Sequence, residues 1–560
     1  MNPAPPFSLL VGALPLLLVP LAAVIGAFWP AGRLPALDRL LGHRIVPWLA
    51  GVITALVIRN VWGSLDAVPV IHDESAYLLQ AALLAHGKLV GPARPLPEFF
   101  EQVHVFVTPV LAPRYPPGFS LALLPGIWLG LPGLMPVVLS GLTAALLIAL
   151  VRRVSTPSVA LLTWLLWVVT PGNLRFRPAY LTESLSGFLW LATWWGVLEW
   201  RASGRRGWLL LISGLIGWQA ITRPLTAIAF ALPIGILVLL TLRRTGRWRD
   251  LAPAMAVGLL CLSIIPYQNQ VTTGNWRLTP LKHYSEVYFP FDLPGFGYDS
   301  TPPQRAWPPD FKAFADRFSP MHREFTPDRL PEILLRRSSH VLQDSWGRWL
   351  PSFALLAVIG FAAGGPAVMF GGLTCLSLLL TYLTFAHDEN WNVYYLEGEA
   401  VLILAVALGF AWLARQAVRI GRGESDEIVT RRTGLVLTLL SLVVFGSWSR
   451  TIREARGTAR YVSFDQERFR RQVDRLPGPS IVFVRYAADH DLNHSLITNV
   501  PDLAAAHAWL VYDRGSDNPR LMAVAPDRKA YLYEEERRKL IPLDSTGLPL
   551  RARADSTRIP

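Results

Sequence analysis

Long apolar stretches separated by short arginine clusters run through most of this chain, which is the pattern of helices crossing a bilayer. Membrane helices are predicted at 8–29, 46–64, 133–151, 157–171, 184–200, 208–222, 224–242, 251–268, 350–364, 366–386, 399–415 and 434–449. The stretch 118–131 is apolar but broken by Pro125, Gly126, Gly130 and Pro132, which predicts a surface-lying or re-entrant helix instead of a further span. Two regions leave the pattern. Residues 269–349 form a long loop rich in proline and aromatics, including Tyr288-Phe289-Pro290 and Pro294 to Tyr298. From about 460 to 545 the text reads as a small α/β unit. It has an amphipathic helix at 464–476, strands at 480–486 and 508–513 with a short helix between, and further strands at 521–524 and 530–533.

The expected fold is therefore a polytopic α-helical membrane protein of about 12 transmembrane helices with a small C-terminal α/β extracytoplasmic domain. Residues 1–45 give the first helix and a cytoplasmic loop. Residues 46–450 give the transmembrane body with outer loops 65–132 and 269–349, and 451–560 the outer domain and tail. No internal repeat and no inverted pair of broken helices is visible, which speaks against a secondary transporter.

Composition agrees. The chain has 560 residues, 52% hydrophobic and 17% charged, against about 25% charged in soluble domains. The net charge of +13 resides largely in arginines at the ends of spans, so it is read as a topology signal and not as a nucleic-acid footprint. Arg33, Arg39, Arg44, Arg152, Arg153, Arg205, Arg206, Arg243, Arg244, Arg419, Arg422, Arg431 and Arg432 are among those on one set of short loops. The opposite short loops carry only Arg175, Arg177 and Arg223. The positive-inside rule puts the first set in the cytoplasm, and 65–132, 269–349 and the C-terminal tail outside. Parity places the N-terminus outside. Residues 1–29 lack Lys and Arg, so they read as a retained helix and not as a signal peptide. Arg- and Pro-rich, Lys-poor usage fits a bacterial cytoplasmic (inner) membrane. Cys261 and Cys375 lie within apolar spans and point to no disulfide framework.

Candidate chemistry gathers on the outer face. Asp73-Glu74 follows an early span, and Glu183 opens another; carboxylates beside a bilayer call for a reason. One reading is a general base that takes a proton from an acceptor. The other is helix capping, with Asp73 at an N-cap and the acids in positive first turns. Both remain open on local text. Asp73, Glu74 and Glu183 are also the candidate metal set; three oxygen donors without Cys or His suit Mg or Mn better than Zn. Arg114, Arg175, Arg177, Arg223, Lys282 and His283 are the scarce outer-face cations that could hold a phosphate, although each alone reads equally as a headgroup contact. His387, in His387-Asp388-Glu389, could join them, while Trp391, Tyr394 and Tyr395 fit an interfacial belt. Asp489-His490-Asp491 with His494 has loose metal-ligand spacing but reads as a solvated loop.

Asp73-Glu74 with Tyr77, then Arg114-Tyr115-Pro116-Pro117-Gly118, then Arg177 to Glu183, in that order and on one side, resemble the type C membrane glycosyltransferases (GT-C) over roughly residues 45–400. That family includes protein O-mannosyltransferases, lipid A aminoarabinose transferases and oligosaccharyltransferases. The resemblance implies a GT-C-like catalytic domain at 46–450 and a polyprenyl-phosphate-linked sugar donor. It also implies an acceptor that is a protein, lipid or glycan, and transfer with inversion on the outer face. It implies Asp73 as the base and Glu74 and Glu183 as residues shaping the site. Tyr77, Arg114, Tyr115, Arg177, Arg223, Lys282, His283 and His387 would bind substrate. Some relatives require a divalent metal and others none, so the cofactor is open between Mg, Mn and no metal. The first span and the α/β tail depart from the family pattern. A flippase or an assembly protein for lipid-linked glycans is the alternative reading.

Overall fold

The computed structural model describes residues 6–30, 37–419, 425–491 and 494–550. Arg33 and Arg422, two of the topology arginines, lie outside the described residues. Each of the twelve apolar stretches falls on a helix, from Pro6–Phe28 at the start to Asp426–Asp474 at the end. Seven of the described helices are long and apolar enough to cross a membrane by length and composition. Shorter apolar helices include Val46–Trp62 and Pro157–Val168. Leu232, Leu260, Val358 and Leu442 on four of the helices are exposed, as side chains facing lipid would be.

Small residues let the helices approach. A Cβ on Gly360 would collide with the Ala405 carbonyl, and one on Gly409 with Leu356, which locks Leu350–Ala363 against Leu396–Arg419. Gly51 and Gly141 do the same between Val46–Trp62 and Leu134–Val154. The segment Gly118–Trp128 is a helix of 11 residues; at 1.5 Å per residue that is about 16 Å, too short for a crossing.

The outer regions are more ordered than the sequence indicated. The 269–349 stretch holds helices Pro280–Tyr288, Pro309–Glu324 and Leu330–Trp346. The separate helices expected at 434–449 and 464–476 are one continuous helix, Asp426–Asp474, of 49 residues. Residues 521–524 belong to a helix, Asn518–Val524, and not to a strand. Pro519 sits near its start, where a missing N–H costs nothing.

Three short strands, β1 (Gly91–Pro92), β2 (Val105–Phe106) and β3 (Val110–Pro113), pair in the order β1-β3-β2. The tail carries β4 (Ser480–Arg485), β5 (Ala508–Tyr512), β6 (Lys529–Glu534) and β7 (Lys539–Pro542), in the order β5-β4-β6-β7. β4 runs parallel to β5 and β6, and β7 is antiparallel to β6 at the edge.

The tail is packed onto the loops 65–132 and 269–349. Ile481, Phe483 and Trp509 share one apolar core with Ala76, Leu79, Phe99 and Phe100. Buried Arg94 donates to the carbonyls of Pro501 (2.9 Å) and Val500 (2.6 Å). Tyr512 donates to Asp310 at 2.6 Å, and His494 makes a backbone bridge to Ile71.

Candidate active site

After Trp62 the chain turns into the helix His72–Ala85. Its N-cap is Ile71, so the expectation of Asp73 as N-cap is corrected: Asp73 is the second helical residue. Glu74, the third, does the capping. Its Oε1 accepts the N–H groups of Val70 (3.1 Å) and Ile71 (3.3 Å). Its Oε2 accepts the N–H of Tyr180 (2.9 Å), 106 residues away, and so ties the first outer loop to the second acidic segment. Burial raises the Glu74 carboxyl to about 7; the three N–H groups oppose the rise and the Asp73 charge adds to it.

Asp73 is free of that duty and faces Tyr115, whose hydroxyl donates to Oδ1 at 2.6 Å. His104 Nε2 stands 3.9 Å from Oδ2. The Asp73 side chain is 37% exposed, whereas that of Glu183 is 3% exposed. Of the three expected acids only Asp73 is open to an incoming molecule.

Arg114, next to Tyr115 in sequence, donates to Asp292 Oδ2 at 3.1 Å and lies over the rings of Tyr115 and Tyr284. His322 stands 3.4 Å from the other Asp292 oxygen. Burial pushes the Asp292 carboxyl up, but the His322 hydrogen bond and the charges of Arg114 and His322 outweigh it and hold it below the usual carboxylate range. The Tyr284 hydroxyl accepts the His104 N–H at 2.8 Å, which joins this group to the Asp73 side of the site.

Tyr77 stacks on Tyr115 at 4.7 Å. Burial, with the Asp73 and Glu183 charges, holds its hydroxyl well above the ordinary tyrosine range, and the Arg223 charge opposes the rise.

The second group centres on Arg223, the N-cap of the helix Pro224–Thr245. Its Nη1 donates to Glu183 Oε1 (3.0 Å), Glu397 Oε1 (3.1 Å) and the Val393 carbonyl (3.0 Å). The guanidinium lies 5.3 Å from the centre of the Tyr394 ring. Ser186 donates to Glu397 and receives a bond from Gln219 at 2.6 Å. Arg223 Nη2 and Glu183 Oε2 are buried without a hydrogen-bond partner among the described residues. A buried guanidinium with one nitrogen unspent is suited to an oxyanion brought by a ligand. Glu397 was missed from sequence, although it opens an apolar helix as Glu183 does. Asp292, His104 and Tyr284 were missed as well.

The remaining candidates take other hydrogen-bond partners. Arg177 is buried, donates to Asn173 at 2.5 Å and lies over Trp167. Lys282 is exposed and pairs with Glu286, and His283 stacks on Phe106. His387 is buried, with Nε2 2.9 Å from the Tyr395 hydroxyl, one ring removed from Arg223 through Tyr394. Asp73, Glu74 and Glu183 do not converge into a cation cage: Glu74 spends both oxygens on backbone N–H groups and Glu183 is paired with Arg223. Among the described residues no three His, Cys, Asp or Glu side chains gather as metal ligands. His490 bonds Glu535 at 2.7 Å instead.

No family model matches the chain, and no curated protein matches it by sequence. Solved structures do match. ArnT (aminoarabinose transferase) from Cupriavidus metallidurans bound to undecaprenyl phosphate aligns over 88% of this chain and 94% of its own, with a TM-score of 0.52 and 15% identity. The same protein in the apo state aligns over 86% and 92%, with a TM-score of 0.51 and 14% identity. The chain has a GT-C glycosyltransferase fold. An oligosaccharyltransferase from Archaeoglobus fulgidus is more distant, with a TM-score of 0.39 and 10% identity over 79% of this chain and 63% of its own. The match to ArnT runs through most of the length of both chains.

Proposed function

We propose that this chain is an integral membrane glycosyltransferase. It takes a sugar from a polyprenyl-phosphate carrier and passes it to an acceptor on the outer face of a bacterial cytoplasmic membrane. The observation that carries this reading is Asp73: an open carboxylate at the rim of a buried cluster of arginines and tyrosines, in a fold shared with a protein bound to undecaprenyl phosphate.

In the proposed reaction Asp73 takes the proton from an acceptor hydroxyl or amine as its lone pair attacks the anomeric carbon. The bond from that carbon to the carrier phosphate oxygen breaks, and the electron pair leaves with the polyprenyl phosphate. The anomeric centre inverts in this single displacement. Tyr115 fixes the Asp73 carboxylate. The unspent nitrogen of Arg223 is a donor for the phosphate oxygens as charge builds on them. Glu183 and Glu397 hold Arg223 in place, and Arg114 is aimed by Asp292. Lys282 takes no part in this scheme because it points to solvent. The arginine asymmetry of the short loops supports the outward orientation.

The test is transfer from a panel of radiolabelled polyprenyl-phosphate sugars in membranes holding the wild type or Asp73→Asn at equal expression. Transfer by the wild type that collapses in the variant supports the assignment and names the donor. Equal transfer by both overturns Asp73 as base.

A further inference from the structure

The last turns of the helix Asp426–Asp474 carry two opposed faces. Gln466, Phe469 and Val473 are buried, and Gln466 donates to the Val70 carbonyl at 3.5 Å. Arg468, Arg471 and Arg475 fall on the opposite side at 100° per residue. The β6–β7 hairpin packs on the buried face, with Tyr533 against Phe469, and its turn reaches round to the flank, where the Arg538 carbonyl accepts from Gln472 at 3.2 Å. Between helix and hairpin runs an open groove of about 460 Å³, lined by Arg468, Arg471, Gln472, Arg475, Arg538 and Lys539. That volume is of the order of small-molecule sites, roughly 300–1,000 Å³.

The lining has five cations. Among the described residues Arg471 pairs with Glu467 at 3.9 Å and Arg538 with Asp465 at 3.0 Å, while Arg468, Arg475 and Lys539 have no ion pair. Like charges crowded on facing walls repel one another, and a polyanion placed between them removes that repulsion. One planar carboxylate engages a single guanidinium fork. Several guanidinium groups on two walls match the many oxygens of linked phosphoryl groups.

The groove also stands away from the bilayer. Arg468 is 20 residues beyond Trp448, where the apolar part of the helix ends. That is about 30 Å along its axis, well past a headgroup layer of roughly 5–8 Å.

We propose that this groove is a second binding site, separate from Asp73, for a ligand carrying two or more linked phosphoryl groups presented clear of the membrane. The ligand is either a free oligophosphate or a phosphorylated glycan; the chemistry recognised is the same.

The experiment is isothermal titration of the full chain in nanodiscs of neutral phosphatidylcholine, with inorganic pyrophosphate as one probe and a maltodextrin bearing a diphosphate ester as the other. The triple variant Arg468→Gln, Arg471→Gln, Arg475→Gln changes only exposed side chains. The control Arg450→Gln, Arg453→Gln, Arg460→Gln removes the same charge from the lower part of the same helix. Binding that weakens at least tenfold in the groove variant and less than twofold in the control supports the site. Preference between the two probes then tells the free from the glycan-borne source. Equal weakening in both variants means unspecific charge attraction and overturns the proposal, as does absence of binding to either probe. Binding gained only when phosphatidylglycerol enters the nanodisc also overturns it, because it would make the basic helix a bilayer contact.

Discussion

Glu183 and Glu397, 214 positions apart in sequence, accept from the same nitrogen, Nη1 of Arg223. Two buried acids share one cation, so the three residues depend on one another. Arg223→Met leaves both carboxylates buried and unpaired, which costs on the order of 3–5 kcal/mol. The variant is expected to unfold at a distinctly lower temperature in detergent, followed by intrinsic fluorescence. Glu397→Gln keeps a carbonyl oxygen for Arg223 and is expected to fold normally yet lose sugar transfer about tenfold. An unchanged melting temperature for Arg223→Met would count against the shared pairing.

Tyr115→Phe removes the hydrogen bond to Asp73 and little else, since the ring still stacks on Tyr77. A hydrogen bond to a charged group is worth about 1.5–3 kcal/mol. Transfer is therefore expected to fall at least tenfold with melting behaviour unchanged. Steady-state rates on purified protein decide it.

Glu74 acts by a different route. Glu74→Ala strips three backbone N–H groups of their acceptor; that of Tyr180 is left buried at a cost of about 1–3 kcal/mol, and those of Val70 and Ile71 are left half-buried. The helix carrying Asp73 and the segment leading to Glu183 would loosen together. Hydrogen exchange should rise at both 70–76 and 178–184, not at the first alone.

Asp310 supplies a pH dependence. Its carboxyl, beneath Tyr512, is raised to about 6 by burial, with the Tyr512 hydrogen bond and the His490 charge opposing. The folded chain thus holds a proton that an unfolded chain releases near pH 4, about the ordinary value for an aspartate. Stability from this group is greatest below that pH and is lost as pH rises through about 6. Asp310→Asn cannot titrate. The melting temperature of the wild type relative to the variant is therefore expected to drop between pH 4 and 7; parallel curves would refute the assignment.

Arg94→Met should release the tail from the first outer loop, because its guanidinium closes onto the Val500 and Pro501 carbonyls. Faster cleavage of the 487–507 region by an added protease is the expected readout.

Much of the helical frame was legible because a long apolar run between arginine clusters suits little besides a helix in a bilayer. Legibility breaks where the apolar signal stops. Past Trp448 the helix continues on charge pairs at helical spacing, such as Arg450 with Glu454 and Arg471 with Glu467, and these resemble a surface loop as readily as a helix. Leu521 to Val524 was read as a strand from four apolar letters, while Asn518-Pro519 ahead of it carried the helix start. At the site, Asp73 and Glu183 could be seen because each carboxylate stands beside an apolar run. Glu397 stands in the same position and was hidden by the two tyrosines before it, which looked like a membrane belt. Arg114 could be picked out, but its partner Asp292 is 178 residues away and, like His322, is announced by no local text; the three meet only through the fold.

The continuous helix Asp426–Asp474 makes the outer assembly a lever arm. At 1.5 Å per residue its 49 residues measure about 73 Å, so a tilt change of about 5° swings one end by about 6 Å. Its apolar half takes its angle from the helices packed on it, Pro6–Phe28, Pro157–Val168 and Leu396–Arg419. Its far half touches Val70, three residues from Asp73. A rocking of those spans would thereby be carried by one rod to the loop that opens the helix of Asp73.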